Sequence, residues 1–523
     1  MTGNDLFKGK LRLSRPFNQN FIMGLVLFAL PGIYLALTGL GAGGGRPSSQ
    51  RVSSLTNSIL YGIYTLAGWC AGSVLNYLGP KWTVVLGGFG YPFYVGSLWY
   101  YDKVGHQAFP LFGGALLGVT AALLWTTSGF IQFAYAEEND KAKYITIQWV
   151  LSSCGSTVGA LIAFGANIHQ TEATGVSTGV WIAFVLIMCC AIAAAIFLII
   201  DPRDVVRDDG RHIATFKEAN LRDEMRGILS VLTDPKILIL LPAMFVAEMC
   251  LAIFSSVNGY YFNLRTRSLN NVLFQAIMIP TPILLSTLLS SSYLPTRRAK
   301  GLAGTAIVAI ISIACMAGLL GWLIHYDVDR TNPAPAMDWT DPGFSSLVFI
   351  YLLNGMVYAC FQIMVQWVLG ALTNDPALCA RYAGAFKGTV SLGMCISFTM
   401  DSQGVSYKTQ TIVQLVLYVL GVVCMGIVIG VYVRETNYFL EGSVIVPEAV
   451  EERVKMKADT LGLEGAKEAF LIWSMPIILP KAVANKYSNI DDVPRHTPYK
   501  KTVWRIDRCT LQEEMMFTGI LTC

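Results

Sequence analysis

An all-α integral membrane protein, with about twelve transmembrane helices in two six-helix bundles, is predicted by three observations. These are an apolar excess, a ladder of long apolar runs, and basic residues that gather in alternate loops. Of the 523 residues, 54% are hydrophobic and only 14% charged, with a mean hydropathy of +0.52. A water-soluble domain carries charge on roughly a quarter of its residues, because its surface must be hydrated. The deficit puts most of this surface against lipid, so the bilayer is the first expected partner. The net charge of +4 is small and no basic tract occurs, so no nucleic-acid partner is expected. Many of the 12 cysteines sit in apolar runs, where Cys behaves as a small hydrophobe. No Cys/His spacing suits a metal, and no cofactor is expected.

A helix needs about 20 mostly apolar residues to cross a hydrocarbon core about 30 Å thick. The first half offers Phe21–Leu40, Asn57–Leu78, Trp82–Tyr100, Phe109–Phe133, Ile145–Asn167 and Thr178–Ile200. The second offers Ile237–Tyr261, Val272–Tyr293, Ala303–Ile324, Ser345–Leu372, Ala383–Met400 and Thr411–Val433. The eleventh of these is the least apolar. Basic residues concentrate in the N-terminal segment (Lys8, Lys10, Arg12, Arg15), around Lys81, at Lys141 and Lys143, between Arg203 and Arg226, at Arg297, Arg298 and Lys300, and at Arg381. Because cytoplasmic loops hold the excess of Lys and Arg, both termini are expected inside, in a plasma membrane or an endomembrane.

The resulting organisation is a cytoplasmic segment (1–20), a six-helix bundle (21–200), a cytoplasmic linker (201–236), a second bundle (237–433) and a cytoplasmic tail (434–523). The apolar run Ala469–Pro480 in the tail is too short to span and is broken by two prolines. The glycine run Gly41–Gly45 reads as a flexible outer loop, since it follows no strand and opens no phosphate-binding unit.

Ionisable and amide side chains inside spans carry the functional argument. Glu248 lies mid-way along the seventh span, where a carboxylate costs several kcal/mol unless paired, hydrated or protonated. Such a group serves proton coupling, or it is a neutral Glu bonded to a neighbouring helix for packing. Lys387, near the start of the eleventh span, either snorkels to the headgroups or enters the cavity as a partner for Glu248 or an anionic solute. Asn354, Tyr358, Gln362 and Gln366 recur every four residues and share one face of the tenth span. That face must meet protein or water, as a cavity wall or as interhelical hydrogen bonds. Trp125 and Gln132 of the fourth span, Asn57 and Tyr61 of the second and Asn258 of the seventh are weaker candidates of the same kind. Gly155 and Gly159, with Gly384, Gly388 and Gly393, place small residues where helices can pack closely. The cluster Glu137, Glu138, Asp140, Lys141 and Lys143 reads as a solvated loop, or as ion pairs between the halves.

The turn between the second and third spans, Gly72-Ser-Val-Leu-Asn76-Tyr-Leu-Gly79-Pro80-Lys81, resembles the cytoplasmic signature of the major facilitator superfamily. There Gly72, Asn76, Gly79 and Lys81 would form a conformational latch, weakened because Asn76 replaces the family's usual Asp and Tyr77 a basic residue. Pro31-Gly32-Ile-Tyr-Leu-Ala-Leu-Thr-Gly39-Leu-Gly41-Ala-Gly43-Gly44-Gly45, with Leu86-Gly87, Gly90-Tyr91, Leu117-Gly118 and Leu123-Leu124-Trp125-Thr126, resembles the Unc-ninety-three-like branch, its fungal members in particular. The resemblance runs from about Arg15 to Arg434 and is densest before Asn167. It implies a solute site between two bundles at mid-membrane. It also implies one of two functions: solute transport, or regulation of a channel or receptor without known transport. The expectation is a secondary-active, proton-coupled transporter of a small organic solute, with metabolite efflux by analogy. The alternative is a membrane scaffold that needs a protein partner. No nucleophile–base pair or nucleotide loop suggests an enzyme.

Overall fold

Lipid offers no hydrogen-bond partner to a peptide group, so each segment crossing it must satisfy its backbone internally. The described residues are helical accordingly. The computed structural model describes residues 9–35, 49–168, 178–213, 221–342, 344–442 and 444–460. The Gly41–Gly45 and Ala469–Pro480 runs lie outside these residues. The helical bundle belongs to the first of two units, Met1–Arg453; of the second, Val454–Cys523, only the end of one helix is described.

Helix α1 (Pro16–Leu35) widens into a π turn over Phe28–Gly32, where Pro31 lacks the N–H of a regular turn. A single long helix, Ser49–Val104, holds two spans, α2 (49–78) and α3 (80–104). They part at Gly79, whose φ of 74° suits a residue without Cβ, and Pro80 opens the next helix. Then come α4 (Ala108–Tyr135), α5 (Lys141–Asn167) and α6 (Thr178–Leu198). The linker between the halves carries its own short helix, α7 (Leu221–Leu232). The second half consists of α8 (Pro235–Tyr261), α9 (Leu264–Leu289), α10 (Arg297–His325), α11 (Phe344–Leu372), α12 (Pro376–Ser402) and α13 (Tyr407–Tyr432), followed by α14 (Glu448–Thr460).

Among the described residues ten helices are long and apolar enough to cross a bilayer. One of these contains both α2 and α3, and α12 adds a span too polar to pass the same test. The fold is thus two six-helix bundles, α1–α6 and α8–α13. Helix α12 tolerates its polarity because protein surrounds it: Ala383, Gly384, Phe386, Lys387 and Gly388 are all buried. It packs along α2, where a Cβ on Gly72 would lie 2.6 Å from the Ala380 carbonyl oxygen and one on Gly68 would meet the Gly388 backbone.

Several helices begin earlier than the sequence reading, and two of these starts bear on the site. Helix α9 begins at Leu264 instead of Val272, and α12 at Pro376 instead of Ala383. The early turns of α9 carry Arg265, Arg267, Asn270 and Asn271, and those of α12 carry Pro376 and Arg381, residues at which an apolar run stops, yet each start is held by protein contacts. Asn270 donates to Asn258 at 2.9 Å, and Asp375 caps α12 by accepting from the Leu378 N–H. The segment expected to begin a tail at 434 is part of the body over its first residues, with Thr436, Asn437 and Tyr438 buried.

Candidate functional site

Helices α1 to α5 of the first bundle face α8, α9, α11 and α12 of the second across a cavity of about 740 Å³ of unfilled space, part of it open to solvent. Its wall is rich in aromatic side chains, Tyr34, Tyr61, Tyr64, Tyr91, Trp125, Trp149 and Tyr358; Ser152, Ser153 and Ser156 of α5 form a small polar face. Two charged residues line it, Glu248 and Lys387.

Glu248 sits where α8 is interrupted. The helix runs regularly over Pro235–Val246 and again over Cys250–Tyr261. Between them the bonds tighten to the three-residue kind, Met249 N–H to Val246 O and Leu251 N–H to Glu248 O. Helix α12 stabilises the interruption from the side. A Cβ on Gly393 would come within 1.9 Å of the Phe245 carbonyl oxygen, so glycine leaves room for that carbonyl, and the Ser397 hydroxyl donates to Met249 O at 3.0 Å. The second segment of α8 therefore has its own N-terminus just past Glu248, whose partial positive charge favours a carboxylate. Broken helices at mid-membrane are a recurrent way for transporters to present polar groups to a solute. Gly393→Ala is expected to lower stability by about 2 kcal/mol through overpacking. The check is the unfolding midpoint in detergent; an unchanged midpoint would mean the break shifts freely.

Lys387 lies well inside α12, because the helix starts seven residues before the span read from the sequence. Its side chain is buried within the protein. It donates to Glu248 Oε1 at 3.2 Å and Gln362 Oε1 at 3.3 Å, and stands 4.6 Å from the centre of the Trp125 ring. Trp125 belongs to the opposite bundle, so one cation joins an acid and an amide of its own half to a π face of the other.

The remaining candidates are distributed as follows. Tyr358 and Gln362 line the cavity; Asn354 and Gln366, on the same face of α11, are buried but are not among its lining residues. Asn354 has neither amide atom hydrogen-bonded. Asn57 accepts from the Tyr34 hydroxyl at 3.4 Å and is likewise outside the lining. Asn258 ties α8 to α9, accepting from Asn270 and donating to Arg267 O. Gln132 donates to Ser128 and Gln148 in an amide network that continues to Asn20, wholly within the first bundle.

At the predicted cytoplasmic end the two bundles are stitched together. Lys141, first residue of α5, reaches into the C-terminal end of α11 and donates to Gly370 O at 2.5 Å, Thr373 O at 2.8 Å and Asn374 Oδ1 at 2.7 Å. A cation suits the partly negative end of that helix. Glu138 accepts from Asn374 Nδ2 and from the Asn437 backbone N–H, with Arg297 at 3.4 Å. Lys141 and Glu138 are thus buried between the halves and do not lie in a solvated loop. The latch motif gains an acid from elsewhere. Asn76 Nδ2 donates to Glu224 of α7 at 3.2 Å, and Glu224 pairs with Arg381 of α12 at 2.9 Å. The carboxylate that position 76 lacks is supplied by the linker helix. Lys81 has no ion-pair partner among the described residues. Sequence reasoning treated 201–236 as a polar connection and gave no sign of Glu224, although the strong amphipathic pattern of Leu221–Leu232 was available to it. Among the described residues no group of three His, Cys, Asp or Glu side chains could hold a metal ion.

Comparisons with known proteins agree with this architecture. A solved structure of the Escherichia coli fucose:proton symporter superposes with a TM-score of 0.54 at 11% identity, covering 79% of this chain and 98% of that one. An uncharacterised membrane protein of Schizosaccharomyces pombe is 42% identical over 429 residues, 82% of this chain and 87% of that protein. UNC93-like protein 1 of Arabidopsis thaliana is 32% identical over 433 residues, 82% and 93% of the two chains. Residues 53–426 match the family described as ion channel regulatory protein UNC-93. With a broken helix and a buried ion pair at the centre of a major facilitator fold, the chain belongs to the UNC-93 family.

Proposed function

We propose that the chain is a secondary-active transporter that moves a small organic solute by alternating access, coupled to a proton at Glu248. The observation that carries this reading is the Glu248–Lys387 pair, set in a cavity walled by helices of both bundles and anchored across the boundary by Trp125. A pair kept only for packing has no need of a cavity, and an intramembrane ion pair exposed to one points to function. The stitched cytoplasmic end supports a working cycle in which the cavity communicates with one side at a time. The bundle boundaries 21–200 and 237–433, the cytoplasmic placement of both ends, a plasma or endomembrane location and an efflux direction belong to the same proposal.

The test compares solutes inside and outside cells with and without the gene, by untargeted mass spectrometry. A compound trapped in the deletion strain and released on complementation supports transport. Glu248→Gln is then expected to reduce proton-coupled flux of that compound at least a hundredfold at unchanged membrane abundance; undiminished flux would remove the coupling role. A second reading has one observation behind it, the family's description as channel regulators. It predicts matching solute profiles, a dispensable Glu248 and a membrane protein that co-purifies.

A further inference from the structure

Resting on the reading of the cavity as a solute site, we infer that the solute is an aromatic organic acid bound as its monoanion together with one proton, its carboxylate replacing Glu248 as the partner of Lys387. A buried ammonium needs an anionic partner in every state of the cycle, since removing one member of a buried pair leaves an uncompensated charge that costs several kcal/mol. With the site empty that partner is Glu248, 3.2 Å away. When a proton neutralises Glu248, forming the O–H bond of a carboxylic acid, Lys387 does not move away with it. The Trp125 face at 4.6 Å and Gln362 Oε1 at 3.3 Å still hold the ammonium in place. A fixed cation without a counter-charge is then an anion site. The bound solute restores neutrality: one proton and one carboxylate enter together, and the net charge of the cavity stays zero.

Other solute classes fit this arrangement less well. A cation that captured Glu248 would leave Lys387 unpaired, giving two cations to one carboxylate. A neutral solute would leave the pair closed and need no proton. The titratable groups that face Glu248 are Lys387 of α12, Tyr358 of α11, Tyr61 and Tyr64 of α2, Tyr418 of α13 and Cys250 on its own helix. Glu248 is the one carboxylate among the lining residues, so the proton taken up has one natural acceptor. The wall selects the body of the solute. Trp149 and Tyr358, from opposite bundles, have ring centres 5.8 Å apart, and with Tyr34, Tyr61 and Trp125 they offer edges and faces to a flat ring. The serines of α5 leave a polar side for a ring substituent.

The experiment is calorimetry on the purified full-length protein with 2-naphthoate, benzoate, benzamide and benzylamine, in buffers of different ionisation enthalpy so that protons can be counted. The expected result is that 2-naphthoate binds with uptake of one proton. Its affinity falls as pH rises, tenfold per unit wherever a full proton is taken up on binding, and benzamide and benzylamine bind at least tenfold more weakly. Glu248→Gln, a neutral mimic of the protonated acid, is expected to bind 2-naphthoate with no proton uptake and no pH dependence. Tighter binding of benzylamine, binding of 2-naphthoate without a proton, or no binding by either acid would each overturn the assignment. None of these outcomes would touch the transport reading, which stands or falls on the deletion-strain solutes.

Discussion

Lys387→Met is expected to be the most damaging single substitution in the cavity, lowering stability by about 3 kcal/mol and abolishing solute flux. The loss does not measure the strength of the Glu248–Lys387 attraction. It reflects the carboxylate left behind, which has lost its counter-charge while remaining largely shielded from water: the two side chains are 12% and 8% exposed. The double variant Glu248→Gln/Lys387→Met removes both charges, so most of the stability should return while flux stays absent. The measurement is a double-mutant cycle on unfolding midpoints in detergent, paired with uptake into proteoliposomes. If the single variant were as stable as the parent, water in the cavity would already be screening the pair. Its role would then be functional without being structural.

The second large effect is expected at the closed end. Lys141→Met strips the ammonium from two backbone carbonyls and the Asn374 amide and leaves Glu138 with one positive neighbour fewer. These contacts join the start of α5 to the end of α11; in the transport cycle proposed above they would break when that end opens, so their loss is expected to act on the equilibrium between states more than on folding. A bias of about 3 kcal/mol corresponds to roughly a hundredfold shift in that equilibrium. Cys379 is a native reporter, being fully buried beside the clamp with its thiol 3.8 Å from the Thr373 carbonyl oxygen. Its modification by a membrane-impermeant maleimide, followed by peptide mass spectrometry, should accelerate by about the same factor. Unchanged labelling would mean that the Glu138, Glu224 and Arg381 contacts hold the end shut without Lys141.

The membrane class, the number of spans and the division into two bundles were legible because they depend on composition and run length, which lipid reads directly. What sits at the centre was legible only in part. Glu248 stood out because carboxylates are rare in apolar spans. The break in α8 did not, since no glycine or proline occupies 246–249 and the cause lies on another helix, in Gly393 and Ser397. Lys387 was recognisable as an ionisable group but not its depth, because hydropathy starts α12 too late; the first turns of that helix face protein, where polarity carries no penalty. The four-residue recurrence of Asn354, Tyr358, Gln362 and Gln366 placed them on one face, yet which of them meet the cavity depends on how α9 and α12 lean against α11. The Asn76 position looked like a weakened latch for a similar reason. Its acid comes from Glu224, 148 residues away in sequence, and no local motif records such a pairing.

The interruption of α8 has a kinetic consequence. A continuous helix transmits a tilt from one face of the membrane to the other, so both gates would move in concert. A helix broken at its middle gives two short levers with separate pivots. In the proposed cycle the segment ending at Val246 would stay docked at the stitched end while the segment beginning at Cys250 swings, and the reverse. In the transporter proposed above, each gate would therefore shut before the other opens, populating an occluded intermediate sealed from both compartments and suppressing leakage of protons through the empty carrier.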